Sequence, residues 1–188
     1  MQYYRELTMI PNSEIPVNVI LSKVYQQIHL AFVSSTNDGK VSFGVSFPEY
    51  SLKGPGKKIR IFSKDENTLK DLDLEKWLRR LQDYVHITHI RPLHQKVKGY
   101  SLYHRCHVEN TRETKARRYA ERHGISYEEA YELFPETHNV YNYPYIRMKS
   151  LSSGNPFCLF IKRIDAKEVQ EGDFSSYGLS NIATVPEF

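Results

Sequence analysis

The sequence predicts an α+β fold: an antiparallel four-stranded sheet with two helices on one face, then a smaller region carrying an arginine-rich helix and short strands. Three observations predict it. Short β-prone runs alternate with two stretches of helical spacing through residue 92, turn-forming clusters separate them, and the net charge concentrates in one segment beyond residue 90.

Residues 3–9 form an apolar, β-prone run closed by Pro11, Asn12 and Ser13, which makes a strand ended by a turn. Over residues 16–34, Val17, Ile20, Leu21, Val24, Ile28, Ala31 and Phe32 recur at helical spacing and predict an amphipathic helix. After the turn Asn37-Asp38-Gly39, Val41, Phe43, Val45 and Phe47 alternate with Ser42, Gly44 and Ser46, so a single half-buried strand is expected up to Pro48. Residues 52–56 read as a loop and 57–63 as a third strand through Ile59 and Ile61. Asp65, Glu66 and Asn67 open a second helix that Leu69, Leu72, Leu74, Trp77, Leu78 and Leu81 continue, and residues 84–92 supply a fourth strand. The order βαββαβ is the split-βαβ, ferredoxin-like unit, expected over residues 1–93. A second domain is expected over 94–188: an extended segment at 95–108, a basic helix at 111–123 stopped by Gly124, a helix opened by the capping box of Ser126 and Glu129, and strands at 145–149 and 157–164.

The charge is uneven. The chain carries +4 overall, but residues 91–123 alone carry +6, against +2 before them and -4 after them. Such a footprint suits a protein that grips phosphates, although a solvated basic face has the same composition. No run of 18 apolar residues exists and the first residues lack a signal-peptide stretch, so no membrane association is expected. Two isolated cysteines, Cys106 and Cys158, fit a reducing cytoplasm and neither a disulfide framework nor a cysteine zinc site.

On a wheel of about 100° per residue, Lys115, Arg118 and Arg122 share a narrow stripe that can follow a phosphate backbone, with Arg112 and Arg117 flanking it. Arg105 and His107 share one face of the extended stretch before that helix, where an arginine and a planar ring suit base contacts. Phe157 follows a Ser/Gly/Asn/Pro turn that can present it at a strand end for stacking, though a core role is the ordinary one. His29 is placed about 120° from the centre of the first helix's apolar stripe, at a rim from which an imidazole could transfer a proton or simply face solvent. Other chemistries are poorly represented. The Gly54-Pro55-Gly56-Lys57-Lys58 loop lacks the length and hydroxyl of a Walker loop, and the pairs His86/His89 and His104/His107 lack further ligands. No metal site and no cofactor are expected.

His29, Gly44-Val45-Ser46-Phe47-Pro48, the basic helix before Ser126-Tyr127-Glu128-Glu129-Ala130, Ser152-Ser153-Gly154 with Phe157-Cys158-Leu159-Phe160-Ile161, and Ser176-Tyr177-Gly178-Leu179-Ser180 stand in one order along the chain. In that order and spacing the sequence resembles, nearly end to end, the CRISPR-associated endoribonuclease that matures guide RNA in type I-F systems. The resemblance implies a metal-independent enzyme that binds a repeat stem-loop and cuts at the 3′ base of its stem. The 2′-hydroxyl attacks the scissile phosphate, leaving a 2′,3′-cyclic phosphate, and the protein remains on the mature guide RNA beside other effector subunits, as a monomer on its RNA. It implies His29 as the proton-transfer residue, base or acid, Ser150 as the holder of the 2′-hydroxyl and Tyr177 as an orienting residue. It also assigns Arg118 and Arg122 to the stem's major groove, Arg105 and His107 to bases near the cut, and Phe157 to stacking at the stem's base, with Ser152 beside them among the RNA-binding residues. Two positions depart from the family pattern: His107 stands where glutamine is expected, and Glu121 where arginine is. A non-cleaving hairpin cap and a small-molecule-binding ferredoxin-like regulator are the competing readings.

Overall fold

The computed structural model describes residues 1–36, 40–93, 97–106, 112–135 and 143–188. The predicted turn at residues 37–39 and the base-contact candidate His107 lie outside them. In chain order the elements are β1 (Tyr3–Met9), α1 (Val17–Ser34), β2 (Lys40–Val41), β3 (Gly44–Ser46), β4 (Lys58–Ser63), α2 (Glu66–Asp71), α3 (Leu74–Trp77), a 3-10 segment (Arg79–Tyr84), β5 (Val85–Ile87), β6 (Arg91–Pro92), β7 (Gly99–Cys106), α4 (Arg112–His123), α5 (Tyr127–Glu132), β8 (Tyr145–Lys149), β9 (Pro156–Ala166), β10 (Phe174–Ser175) and β11 (Val185–Glu187).

The α+β fold and its ferredoxin-like sheet are as the sequence predicts. The strands run β3-β4-β1-β5, all antiparallel, with β6 also pairing β1. This order places the first strand centrally between the third and fourth, as the split-βαβ unit requires. A second antiparallel sheet runs β11-β7-β9-β8.

Three elements differ from expectation. The single strand predicted over 41–47 is two short ones, because β2 leaves the main sheet to pair with β10 while β3 stays on β4. The second helix is broken into α2, α3 and the 3-10 segment at Asp73, which sits at φ 45 and caps Lys76 N at 3.4 Å. That left-handed residue lets Leu72 and Leu74 both turn inward although they are two apart. The fourth strand is divided into β5 and β6, both on β1.

The compact units follow a different line from the expected boundary after residue 93. One unit comprises Met1–Cys106 with Tyr143–Phe188, and the other is His107–Asn142. The physical reason is a shared core: Tyr103, Ile146, Met148, Leu159, Ile161 and Val185 of the second sheet belong to the same buried cluster as Leu7, Phe32 and Phe47. Hydrogen bonds reinforce it, from Tyr103 Oη to the Phe47 carbonyl at 3.2 Å and from Tyr50 Oη to the Ile161 carbonyl at 2.8 Å. Among the described residues no helix is long and apolar enough to cross a membrane.

The smaller unit is a helical hairpin. Among its described residues Ala116 and Ala130 are buried, Tyr119 stacks on His123 and meets Phe134 edge-on, and the predicted Ser126–Glu129 capping box is present.

Candidate active site

On α1, Tyr25, His29 and Phe32 lie at i, i+4 and i+7 and therefore share a face. The C-terminal tail covers that face. Tyr25 Oη donates to the Tyr177 carbonyl at 2.8 Å, His29 Nδ1 meets the Ser176 carbonyl at 2.8 Å, and Phe32 lies against Gly178. The tail is held in turn by β10 on β2 and by Val45 N on the Gly178 carbonyl at 2.9 Å.

His29 is therefore not at a rim. It is 6% exposed, because α1 is covered by the tail as well as by the sheet, and the buried arc is wider than one apolar stripe. A carbonyl only accepts, so the neutral imidazole carries its proton on Nδ1 and leaves Nε2 as the acceptor. Among the described residues no protein group pairs with Nε2, and the one sealed, unpartnered side-chain polar atom is Ser46 Oγ. Solvent can therefore reach Nε2. Burial pulls the His29 pKa down, the Ser176 hydrogen bond pushes back, and the Arg105 charge lowers it further, with a net fall below the ordinary 6.5.

Tyr177 stacks on His29 at 4.2 Å between ring centroids and 10° between planes. Phe157 meets Tyr177 edge-on at 6.4 Å, and the Arg105 guanidinium lies 5.2 Å from the Tyr177 centroid and 5.6 Å from that of Phe157. The structure thus brings together His29, Tyr177, Phe157 and Arg105, which the sequence separates by up to 148 positions. Phe157 is half-buried with its ring in this cluster rather than in the deep core.

Ser150 follows β8 at the mouth of the β8–β9 loop. Its backbone N–H donates to the Asn155 carbonyl at 2.9 Å, while its Oγ lies 3.2 Å from Ser152 Oγ and accepts from Ser153 N at 3.3 Å. The loop is tied to α1 by Gln26 Oε1, which accepts from Lys149 N at 2.8 Å, one turn before His29. Sequence reasoning missed Gln26, Tyr25 and the Ser176 carbonyl. No local signal in the sequence marks the first, because Gln26 is one of several polar residues on that helix, with Ser22, Lys23 and Gln27 close by.

Tyr177 stands in a turn closed by Gly178 N on the Ser175 carbonyl at 2.7 Å, followed by Gly178 at φ 69. A Cβ there would sit 2.4 Å from Val45 Cγ2 and 2.9 Å from Phe32 Cε2. Gly178→Ala should cost about 2–4 kcal/mol from left-handed strain and overpacking combined and lower Tm by roughly 5–15 °C. Thermal unfolding checks this, and an unchanged Tm would mean that the turn is not fixed on β3 as described.

In the helical hairpin, Arg117, Arg118 and Arg122 are exposed and Lys115 is half-exposed. Arg112 differs from its expected place beside the stripe: its Nε donates to the Tyr131 carbonyl at 3.0 Å and its guanidinium lies 3.9 Å from the Tyr131 centroid. It fastens α4 to α5. His104, considered as part of a metal pair, has Nδ1 2.6 Å from Asn181 Oδ1, and among the described residues no three His, Cys, Asp or Glu side chains converge.

The family model for CRISPR-associated protein (Cas_Csy4) matches residues 4–188. This chain belongs to that family. A relative from Escherichia coli (strain UTI89 / UPEC), named CRISPR-associated endonuclease Cas6/Csy4, is 30% identical over the full length of both chains. One of the same name from Pseudomonas aeruginosa (strain UCBPP-PA14) is 29% identical, again over the full length of both. A solved structure described as an RAMP protein binding different RNA substrates covers 98% of this chain and all of its own at 14% identity, with a TM-score of 0.37. A likeness that loose adds nothing to the topology described above.

Proposed function

We propose that this Cas_Csy4 family member is a CRISPR repeat-specific endoribonuclease that cuts its RNA at the 3′ base of the hairpin stem by 2′-hydroxyl attack, without a metal ion. Family membership and the full-length endonuclease relatives support the RNA-processing activity. One observation carries the chemistry. His29 has Nδ1 committed to a backbone carbonyl, Nε2 unpaired among the described residues and a depressed pKa, so at neutral pH it is a base aimed by its surroundings.

The 2′-hydroxyl upstream of the scissile phosphate gives its proton to His29 Nε2 as its oxygen bonds to phosphorus. The bond from phosphorus to the 5′-oxygen breaks, and that oxygen leaves as a hydroxyl after taking a proton from solvent water, while the imidazolium returns its proton to solvent. The products are a 2′,3′-cyclic phosphate and a 5′-hydroxyl. Ser150 Oγ, steadied by Ser152 and the Ser153 amide, holds the attacking oxygen, and Tyr177 keeps the imidazole plane fixed. Because the nucleophile belongs to the substrate, positioning and one proton transfer supply much of the acceleration.

Phe157 stacks at the base of the stem and Arg105 contacts nucleotides near the cut, while Arg118 and Arg122, with Lys115 and Arg117, grip the stem. An A-form major groove is too narrow for side chains along its length, and a short hairpin opens it near an end. The protein then remains on the product, as a monomer on the guide RNA of a type I-F complex with other effector subunits in the cytoplasm.

The test is incubation of a labelled repeat hairpin with the protein in excess EDTA. Cutting at the 3′ base of the stem, with a cyclic phosphate end, is the expected result. Tightly bound but intact RNA would make the protein a non-cleaving cap, and absence of any hairpin affinity at low salt would point to a ferredoxin-like regulator.

A further inference from the structure

A second charged feature lies beside the cleft and takes no part in the steps above. An open groove of about 1200 Å³ runs between the outer face of α1, α3 with the 3-10 segment, and β8. Lys23, Lys76, Arg79, Arg80, Arg147 and Lys149 line it, and among the described residues no carboxylate does. All six are exposed, and none is paired with an acid among the described residues. The volume exceeds the roughly 300–1,000 Å³ of sites that enclose one small molecule. Trp77, the chain's one tryptophan, is half-buried in its wall and offers a ring for stacking.

The groove begins where the cleavage site ends. Lys149 precedes Ser150, and its N–H is held by Gln26, which itself lines the groove one turn before His29. On β8, Ile146 and Met148 point inward, so Arg147 and Lys149 share the outer face about 6.6 Å apart, near the spacing of successive phosphates on an extended strand.

We infer that this groove binds the single-stranded RNA on the 3′ side of the scissile phosphate. The inference rests on the reading under Proposed function, which places the stem on the 5′ side of the cut and leaves the 3′ strand without a partner. That strand departs beside Ser150, its charge is opposite to that of the groove, and its unpaired bases suit a sequence-tolerant aromatic wall. An acidic protein surface is the competing occupant, but nothing about it explains why the groove opens at the scissile bond.

The test uses a hairpin made uncleavable by a single 2′-deoxyribose at the cut, with either no 3′ flank or a six-nucleotide one, and measures affinity by fluorescence anisotropy across salt. The flank should tighten binding by the wild-type protein about tenfold and steepen the salt dependence by about 2, from roughly 0.7 per phosphate over three phosphates. Arg79→Ala with Arg80→Ala, and separately Arg147→Ala, should remove that increment while binding the flankless hairpin as the wild type does. A flank that adds nothing, or an increment that survives both variants, would overturn the inference while hairpin binding stands, and would leave the groove to an acidic protein. Failure of the wild-type protein to bind the hairpin with or without a flank would instead overturn the underlying reading.

Discussion

Replacing His29 with alanine should slow single-turnover cleavage of the repeat hairpin by about 10²–10⁴-fold, the usual contribution of a positioned base, and leave its affinity nearly unchanged. The separation follows from the geometry. His29 is held by Ser176 and Tyr177 and offers one unpaired nitrogen, too little to anchor a stem. The lowered pKa gives the same prediction a pH signature. As a base His29 must be neutral, so the wild-type rate should rise with pH and level off below the ordinary imidazole value of 6.5. A rate that falls as pH rises would make His29 the acid, and equal rates for the variant would remove it from the reaction.

Reversing charge at Arg118 and Arg122 together should have the opposite profile. Each side chain is exposed on α4, where it can make a charge-assisted hydrogen bond of about 1.5–3 kcal/mol, so the double variant Arg118→Glu/Arg122→Glu should bind roughly 10²–10⁴-fold more weakly. Its salt dependence should also flatten by about 2 if, as proposed, each arginine neutralises one phosphate that its replacement would not. Saturating protein should restore most of the cleavage rate, since the catalytic groups are untouched. Unchanged affinity and slope, measured by filter binding across salt, would place both arginines away from the RNA.

Much of the fold was legible because it is encoded locally. The apolar spacing of Val17 through Phe32, the Ser126–Glu129 capping box and the Gly124 stop each lie within one element and are found where expected. The break at Asp73 was not legible, because Leu72 and Leu74 fit an irregular helix as well as two short ones. His29 was misplaced for a different reason: its burial depends on Ser176 and Tyr177, nearly 150 residues downstream, and a helical wheel contains no information about what covers a face. Distance along the chain also hid the basic groove. Its cations come from positions 23, 76, 79, 80, 147 and 149, inside segments whose summed charges are small or negative. The Arg118–Arg122 stripe, by contrast, lies in one twelve-residue helix and could be read directly. Arg112 belongs to the same helix, but its engagement with Tyr131 requires the following helix to fold back.

The most direct measurement replaces one oxygen of the substrate. A repeat hairpin with 2′-deoxyribose only at the nucleotide preceding the scissile phosphate should bind as tightly as the all-ribose RNA and remain uncut at saturating protein. Cleavage of that RNA at the unmodified rate would contradict attack by the substrate's own hydroxyl and, with it, the roles given to His29 and Ser150.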